Sequence, residues 1–224
     1  MLRLAGVDAA TPGLDRAEEA RLQGEAAAAG LAPTPRFSDP AAGILVSDYL
    51  APGPAPAPAA ALAARGALLR AVHALRAPPR PLELGSYLER CEHRARTVDA
   101  GLARRARALL PVLALPGDRA VLCHNDLRAA NRLWHGGRLL ALDWEYAALG
   151  NRWFDLAAGA ADLDDALALL RAYRGTGAND PERRAVTAAF ALSRYVDALW
   201  YTLQGRPPAA AWAAAARALE NAHG

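Results

Sequence analysis

The chain predicts an α+β fold in two unequal parts, a small strand-bearing N-terminal part and a mainly helical C-terminal one. Three observations predict it. Residues 1–50 read strand, helix, strand, strand. Residues 51–59, APGPAPAPA, form a stiff, extended proline–alanine segment that reads as a connection. Beyond it, apolar residues recur at helical spacing, interrupted by two short β-prone runs joined by Gly136-Gly137. With 224 residues, 53% of them hydrophobic, the chain is long enough for one or two cores.

Taken in order, MLRLA at 1–5 reads as a strand and 6–13 as a loop. Leu14-Asp15-Arg16 opens a helix that runs to about Ala29 and stops at Gly30; acidic residues near its start suit the positive end of the helix dipole. After Pro33 and Pro35 come extended segments at Arg36-Phe37-Ser38 and at 43–50. The two parts are therefore placed at 1–52 and 53–224. Residues 60–76 make an amphipathic helix with Leu62, Leu69, Val72 and Leu75 on or near one face. Pro78, Pro79 and Pro81 interrupt the chain, and 86–114 is again helical, with Arg104, Arg105 and Arg107 on a solvated face. RLW and RLLAL around the Gly-Gly pair read as a hairpin, because glycine supplies the positive φ that tight hairpin turns need. Helices are expected at 156–172, 182–204 and 208–222.

All 26 basic residues are arginine, and the net charge is only +3. No basic stripe interleaved with aromatics is present, so nucleic acid is not an expected partner. Cys91 and Cys123 make no disulfide framework and no CxxC; Cys123, inside an apolar run, reads as a small buried side chain. No run approaches the roughly 20 apolar residues of a membrane helix, and the N-terminus lacks the apolar core of a signal peptide. The expectation is a cytoplasmic protein with no membrane partner.

The chemistry concentrates between Val121 and Leu156. His124-Asn125-Asp126 is followed five residues on by Asn131, and Asp143 closes the second hairpin strand. The hairpin folds Asp143 back toward the loop holding Asp126 and Asn131. That set suits phosphoryl transfer, which needs a carboxylate to take the proton of an acceptor hydroxyl, and an amide oxygen plus a second carboxylate for Mg²⁺. Hard oxygen ligands are the kind Mg²⁺ prefers. An isolated H-x-D is common by chance; the combination around a hairpin is not.

With H-N-D-L at 124–127, Asn131, D-W-E-Y-A at 143–147 and D-L-A at 155–157, the chain resembles the choline/ethanolamine kinase branch of the aminoglycoside phosphotransferase superfamily. The resemblance implies a protein-kinase-like two-lobe fold, with a truncated N-lobe sheet and a mainly helical C-lobe. It implies ATP as co-substrate and Mg²⁺ as cofactor. Asp126 becomes the catalytic base, and Asn131 and Asp143 the metal ligands. Glu145 is placed near the metal or its waters, His124 as a brace of the catalytic loop, and Asp155 as that loop's hydrogen-bonding support. His73 matches a histidine read as structural. Arg3 falls on the strand that grips the nucleotide phosphates, oriented by Glu19, with Glu18 as the alternative partner. Ser47 and Tyr49 fall at the hinge between lobes, where backbone groups meet the adenine edge.

Tyr146 and Trp200 match aromatics of a box for a cationic acceptor, held by cation–π attraction. Three residues before Trp200, where the family has another aromatic, stands Asp197, on the same helix face. It is expected to pair with a substrate ammonium. The implied activity is phosphorylation of a small amine alcohol, choline- or ethanolamine-like. Aminoglycoside, thiamine and sugar acceptors of the same superfamily stay open, as does a non-catalytic binding module; Asp162, Asp164 and Asp165 offer acid for an aminoglycoside. The chain departs from the family in one respect: nothing in it resembles the hairpin and glycine-rich loop that precede the Arg3 strand. The sheet then keeps an unpaired edge, a route to a homo-oligomer.

Overall fold

A computed structural model describes residues 1–4 (of 2–4 the backbone only), 15–76, 80–96, 98–175, 177–206 and 209–223. The N-terminal part consists of β1 (Leu2–Leu4), α1 (Arg16–Ala28), β2 (Pro35–Asp39) and β3 (Ile44–Ser47), so the expected strand–helix–strand–strand order is present. Asp15 starts α1 by accepting from the N–H groups of Ala17 and Glu18. The sheet is antiparallel in the order β1-β3-β2, with Arg3 opposite Leu45.

The C-terminal part begins with α2 (Pro58–His73), whose proline at the first turn needs no N–H partner. Then come α3 (Leu84–Ala95), α4 (Ala100–Leu109), β4 (Val121–Cys123), a 3₁₀ turn at Ala129–Asn131, β5 (Arg132–His135) and β6 (Arg138–Ala141). The chain ends through β7 (Ala148–Gly150), α5 (Arg152–Ala158), α6 (Leu163–Arg174), α7 (Asp180–Leu203) and α8 (Ala209–His223). The Gly-Gly hairpin forms as read: Gly136 and Gly137 take φ of 55° and 75°, and His135 sits opposite Arg138. A turn positive at both positions matches the twist of the strands it joins.

Three expectations need correction. The single helix expected over 86–114 is two, because Arg96 turns left-handed at φ 57° and Asp99 caps a new start. The helix expected at 156–172 is also two, α5 and α6. Asp162 caps the second through the N–H of Asp165. Gly159, between them, lies against the chain of the catalytic loop: a Cβ there would stand 2.6 Å from the Leu127 carbonyl oxygen. Finally, β7 was not foreseen. Its Ala-Leu-Gly sequence has little strand propensity, and it forms by pairing with β4, Cys123 opposite Ala148.

The long helix α7 runs through the C-terminal core and packs against α3, α5, α6 and α8. Its buried face, including Ala185, Ala188, Ala189, Leu192, Tyr195 and Leu199, is alanine-rich, which lets neighbouring helices come close. Gly66 does the same for α2, since a Cβ there would lie 2.6 Å from the Ala172 backbone of α6. Among the described residues no helix is long and apolar enough to cross a membrane. Both cysteines are buried free thiols.

Candidate active site

β4 carries the chain out of the core, and the next residues turn sharply. Asn125 adopts φ 64° and Asp143 φ 63°, left-handed conformations that Asn and Asp tolerate better than other non-glycine residues. Asp155, from α5, fixes this loop. One of its oxygens accepts the Asn125 backbone N–H at 2.6 Å; the other accepts the His124 N–H at 2.9 Å and the His73 Nε2 from α2 at 2.9 Å. The Tyr173 hydroxyl lies 2.9 Å from His73 Nδ1. Asp155 is fully buried, which works to raise its pKa, but the bonds and charge from His73 and His124 outweigh burial and hold the carboxyl below the usual range.

His124 is fully buried as well. Its Nε2 is 2.9 Å from the Leu142 carbonyl and so carries the proton, while Nδ1 faces the Asp126 N–H at 3.4 Å. Burial lowers its pKa, and the ring is neutral. It packs against Trp144, with ring centroids 5.0 Å apart. Its place is beneath the loop, touching backbone on both sides.

Asp126 has both oxygens engaged. Oδ1 accepts from Arg128 Nε at 2.6 Å and Oδ2 from Asn131 Nδ2 at 2.7 Å. The Asn131 amide also donates to the Asp126 carbonyl at 2.8 Å, so its N–H groups face Asp126 and its oxygen is the atom left to meet a cation. Burial raises the Asp126 pKa, and the charges of Asp143 and Asp197 add to this, against the pull of Arg128. Asp143 is thus electrostatically within the same site.

Glu145, expected near the metal or its waters, lines the same cavity as Asp126. Its carboxylate accepts from Arg16 Nη1 at 2.7 Å, and the same nitrogen is 2.9 Å from Glu19. Arg16 therefore ties α1 to the segment that follows Asp143. Glu19 is buried, whereas Glu18 is partly exposed and pairs with Arg21 at 2.7 Å. Arg3 lies on β1, but its side chain is outside the described residues. Ser47, expected at the hinge, is the last residue of β3. Met1 extends the β1–β3 pairing by one position, bonding the Ser47 N–H and carbonyl, and the Ser47 hydroxyl accepts from Gln23 at 2.7 Å. Tyr49, just beyond, is 74% exposed.

A cavity of about 690 Å³ opens over Asp126, walled by Tyr87, Tyr146, Phe154, Asp197, Trp200 and Tyr201. Trp200 Nε1 donates to the Tyr146 hydroxyl at 3.0 Å, and burial pushes the Tyr146 pKa up to about 12. Asp197 reaches the cavity wall and is already paired. Arg128 bonds one of its oxygens, and Arg194 stands 3.3 Å from the other. Of the acids further along, Asp162 caps α6 and Asp165 holds Arg65 at 2.6 Å.

Arg16, Arg128 and Tyr87 were not singled out from the sequence. Arg128 lies inside the motif itself, H-N-D-L-R-A-A-N, and a cation two residues after Asp126 was a usable signal. Arg16 stands three residues before Glu19, the spacing of a same-face helix pair. Nothing local marks Tyr87, which reaches the cavity only through the packing of α3.

A braced loop, a carboxylate with an amide beside it, and a second carboxylate beyond a hairpin are groups that suit phosphoryl transfer. Residues 3–190 match the phosphotransferase enzyme family, APH, and the chain belongs to it. It is a small-molecule kinase with a protein-kinase-like fold. It is similar to a choline/ethanolamine kinase family protein from Mesorhizobium loti, with 27% identity over 99% of this chain and 80% of that one, at a TM-score of 0.75. The choline kinase LicA from Streptococcus pneumoniae aligns at 19% identity, covering 98% and 85% of the two chains, with a TM-score of 0.78. The macrolide 2′-phosphotransferase MphH from Brachybacterium faecium aligns at 23%, covering 97% and 83%, with a TM-score of 0.62. None of the curated proteins matches the chain. The acceptors named for these structures differ, so the family fixes the reaction and leaves the acceptor open.

Proposed function

We propose that this kinase transfers the terminal phosphoryl group of ATP to a hydroxyl of a small amine alcohol, of the choline or ethanolamine type. The observation that carries this reading is the position of Asp126 beneath an aromatic cavity, with Asn131 bonded to it and Asp143 close enough to shift its pKa. The acceptor hydroxyl gives its proton to Asp126, its oxygen bonds to the terminal phosphorus, and the bond from that phosphorus to the ADP oxygen breaks. Aromatic faces of Tyr146, Trp200 and Tyr201 favour an acceptor with a cationic, partly apolar body. Positioning and charge balance supply the rate in such reactions.

The donors present fit Mg²⁺: the oxygen of Asn131, oriented by its own N–H bonds to Asp126, and the carboxylate of Asp143 are hard oxygen ligands. When bound there, the ion neutralises charge on the phosphates. Arg16, Glu19 and Glu145 hold α1 against the segment next to Asp143 and so support the nucleotide side of the cleft.

Cavity volume favours a second reading within the same reaction. About 690 Å³ is roomy for ethanolamine and admits a bulkier hydroxylated amine. An aminoglycoside is less well served, because Asp162 and Asp165 already have structural partners. ADP release with Mg-ATP and a panel of ethanolamine, choline, thiamine and aminoglycosides tests both. Acceptor-dependent ADP with the simple amine alcohols supports the first reading; ADP only with a bulky acceptor replaces it with the second.

A further inference from the structure

One guanidinium bridges two of the three carboxylates that line the cavity, Asp126 and Asp197; the third, Glu145, is paired with Arg16. Arg128 Nε donates to Asp126 Oδ1 at 2.6 Å, and Arg128 Nη2 donates to Asp197 Oδ1. Arg194 Nη2 lies 3.3 Å from the other Asp197 oxygen. Asp197 is thus balanced twice, and an alkylammonium entering the cavity meets cations of its own sign instead of an open acid. It gains Asp197 only when Arg128 lets go.

Arg128 has room to move. It sits on the loop between β4 and the 3₁₀ turn, and its side chain is 43% exposed although both partners are largely covered, at 24% and 14%. A long side chain with its head at a cavity mouth can swing without disturbing the core. An anion draws it off, and the reaction brings one to Asp126: the terminal phosphate of the nucleotide. Guanidinium groups bind phosphate oxygens at least as well as carboxylates.

We propose that Arg128 is a switch between the two substrate sites. In the free enzyme it covers Asp197; bound ATP draws it away, opening Asp197 to the acceptor ammonium and Asp126 Oδ1 to the acceptor hydroxyl. The inference rests on the reading of the cavity as an amine site. It makes binding ordered, nucleotide before amine. It also makes the coupling reciprocal, so that the amine tightens nucleotide binding by the same factor. A kinase wired in this way has little exposure to futile amine binding when no phosphoryl donor is present. Arg128 is then a positioning residue that also determines when the acceptor is recognised.

Calorimetry on the whole chain tests this with ethanolamine and choline as probes. Each is titrated alone, with Mg-ADP, and with Mg²⁺ plus a non-hydrolysable ATP analogue. The wild type is expected to bind amine roughly tenfold more tightly with the triphosphate analogue than alone, within the usual range of coupling, and less so with ADP. Arg128→Gln is expected to bind amine with one affinity in all three states and to lose its preference for the triphosphate over ADP. Asp197→Asn, with an unchanged thermal midpoint as the folding control, is expected to lose amine binding throughout while still binding Mg-nucleotide. Amine binding that is unlinked to nucleotide in the wild type, or equally linked in Arg128→Gln, overturns the switch alone. No amine binding to any variant in any state overturns the amine reading together with the switch.

Discussion

Asp155 illustrates how a buried charge is made tolerable at this site. It lies at zero exposure and serves two backbone N–H groups of the catalytic loop and the ring of His73. Replacement with alanine leaves both N–H groups buried without an acceptor, at about 1–3 kcal/mol each. Asp155→Ala is therefore expected to lower the thermal midpoint by roughly 10 °C, given about 2–4 °C per kcal/mol for a chain of this size. His124 adds a pH dependence. Its folded pKa is depressed by burial, so as pH falls the unfolded chain takes up a proton that the folded chain refuses. Stability is then lost progressively as pH drops below the unfolded histidine value of about 6.5. Melting curves between about pH 7 and pH 5.5 are expected to fall more steeply for wild type than for His124→Gln. The identities of these residues were legible in the sequence because H-x-D, D-W-E-Y and D-L-A are local patterns. Their partners were not: Arg128 on Asp197 and Arg16 on Glu145 span 69 and 129 residues of chain, and no spacing rule reaches so far.

At the scale of elements, one side chain of α1 ties it to the segment after β6. Arg16 links Glu19 on the helix to Glu145 beside Asp143, and both links are partly shielded from water. Arg16→Gln is expected to raise the KM for Mg-ATP several-fold, about 1 kcal/mol of positioning, while the thermal midpoint moves by only a few degrees. Steady-state kinetics at saturating acceptor check it. The break between α5 and α6 has equal consequence for the catalytic loop. Gly159 leaves room for the Leu127 carbonyl, and a methyl there would stand at 2.6 Å. Gly159→Ala is expected to cost about 1–3 kcal/mol in denaturant unfolding and to reduce turnover, since the loop carrying Asp126 must shift. Sequence periodicity read one helix through this point, because alanine and glycine hide a break that only packing explains. The hairpin, by contrast, was legible, since two glycines in a row permit few other turns.

Across the whole molecule, a large helical core is built around α7, and the smaller N-terminal part is tied to the segment after β6 through Arg16 of α1. Arginine does all the cationic work, and at the two places where the parts or the substrate sites meet, one guanidinium spans two acids. The fold class and the order of elements were readable from proline punctuation and helical spacing. Cavity shape was not, because Tyr87, Tyr146 and Trp200 come from three separate segments of the chain. Asp126 acts on the acceptor rather than on the nucleotide in the proposed reaction. ADP release by Asp126→Ala, with Mg-nucleotide affinity measured on the same sample, addresses it directly. Acceptor-dependent turnover is predicted to fall by roughly 10²–10⁴-fold, the range for loss of a positioned base, with nucleotide affinity within a few-fold of wild type. Near-normal turnover in that variant would contradict the assignment.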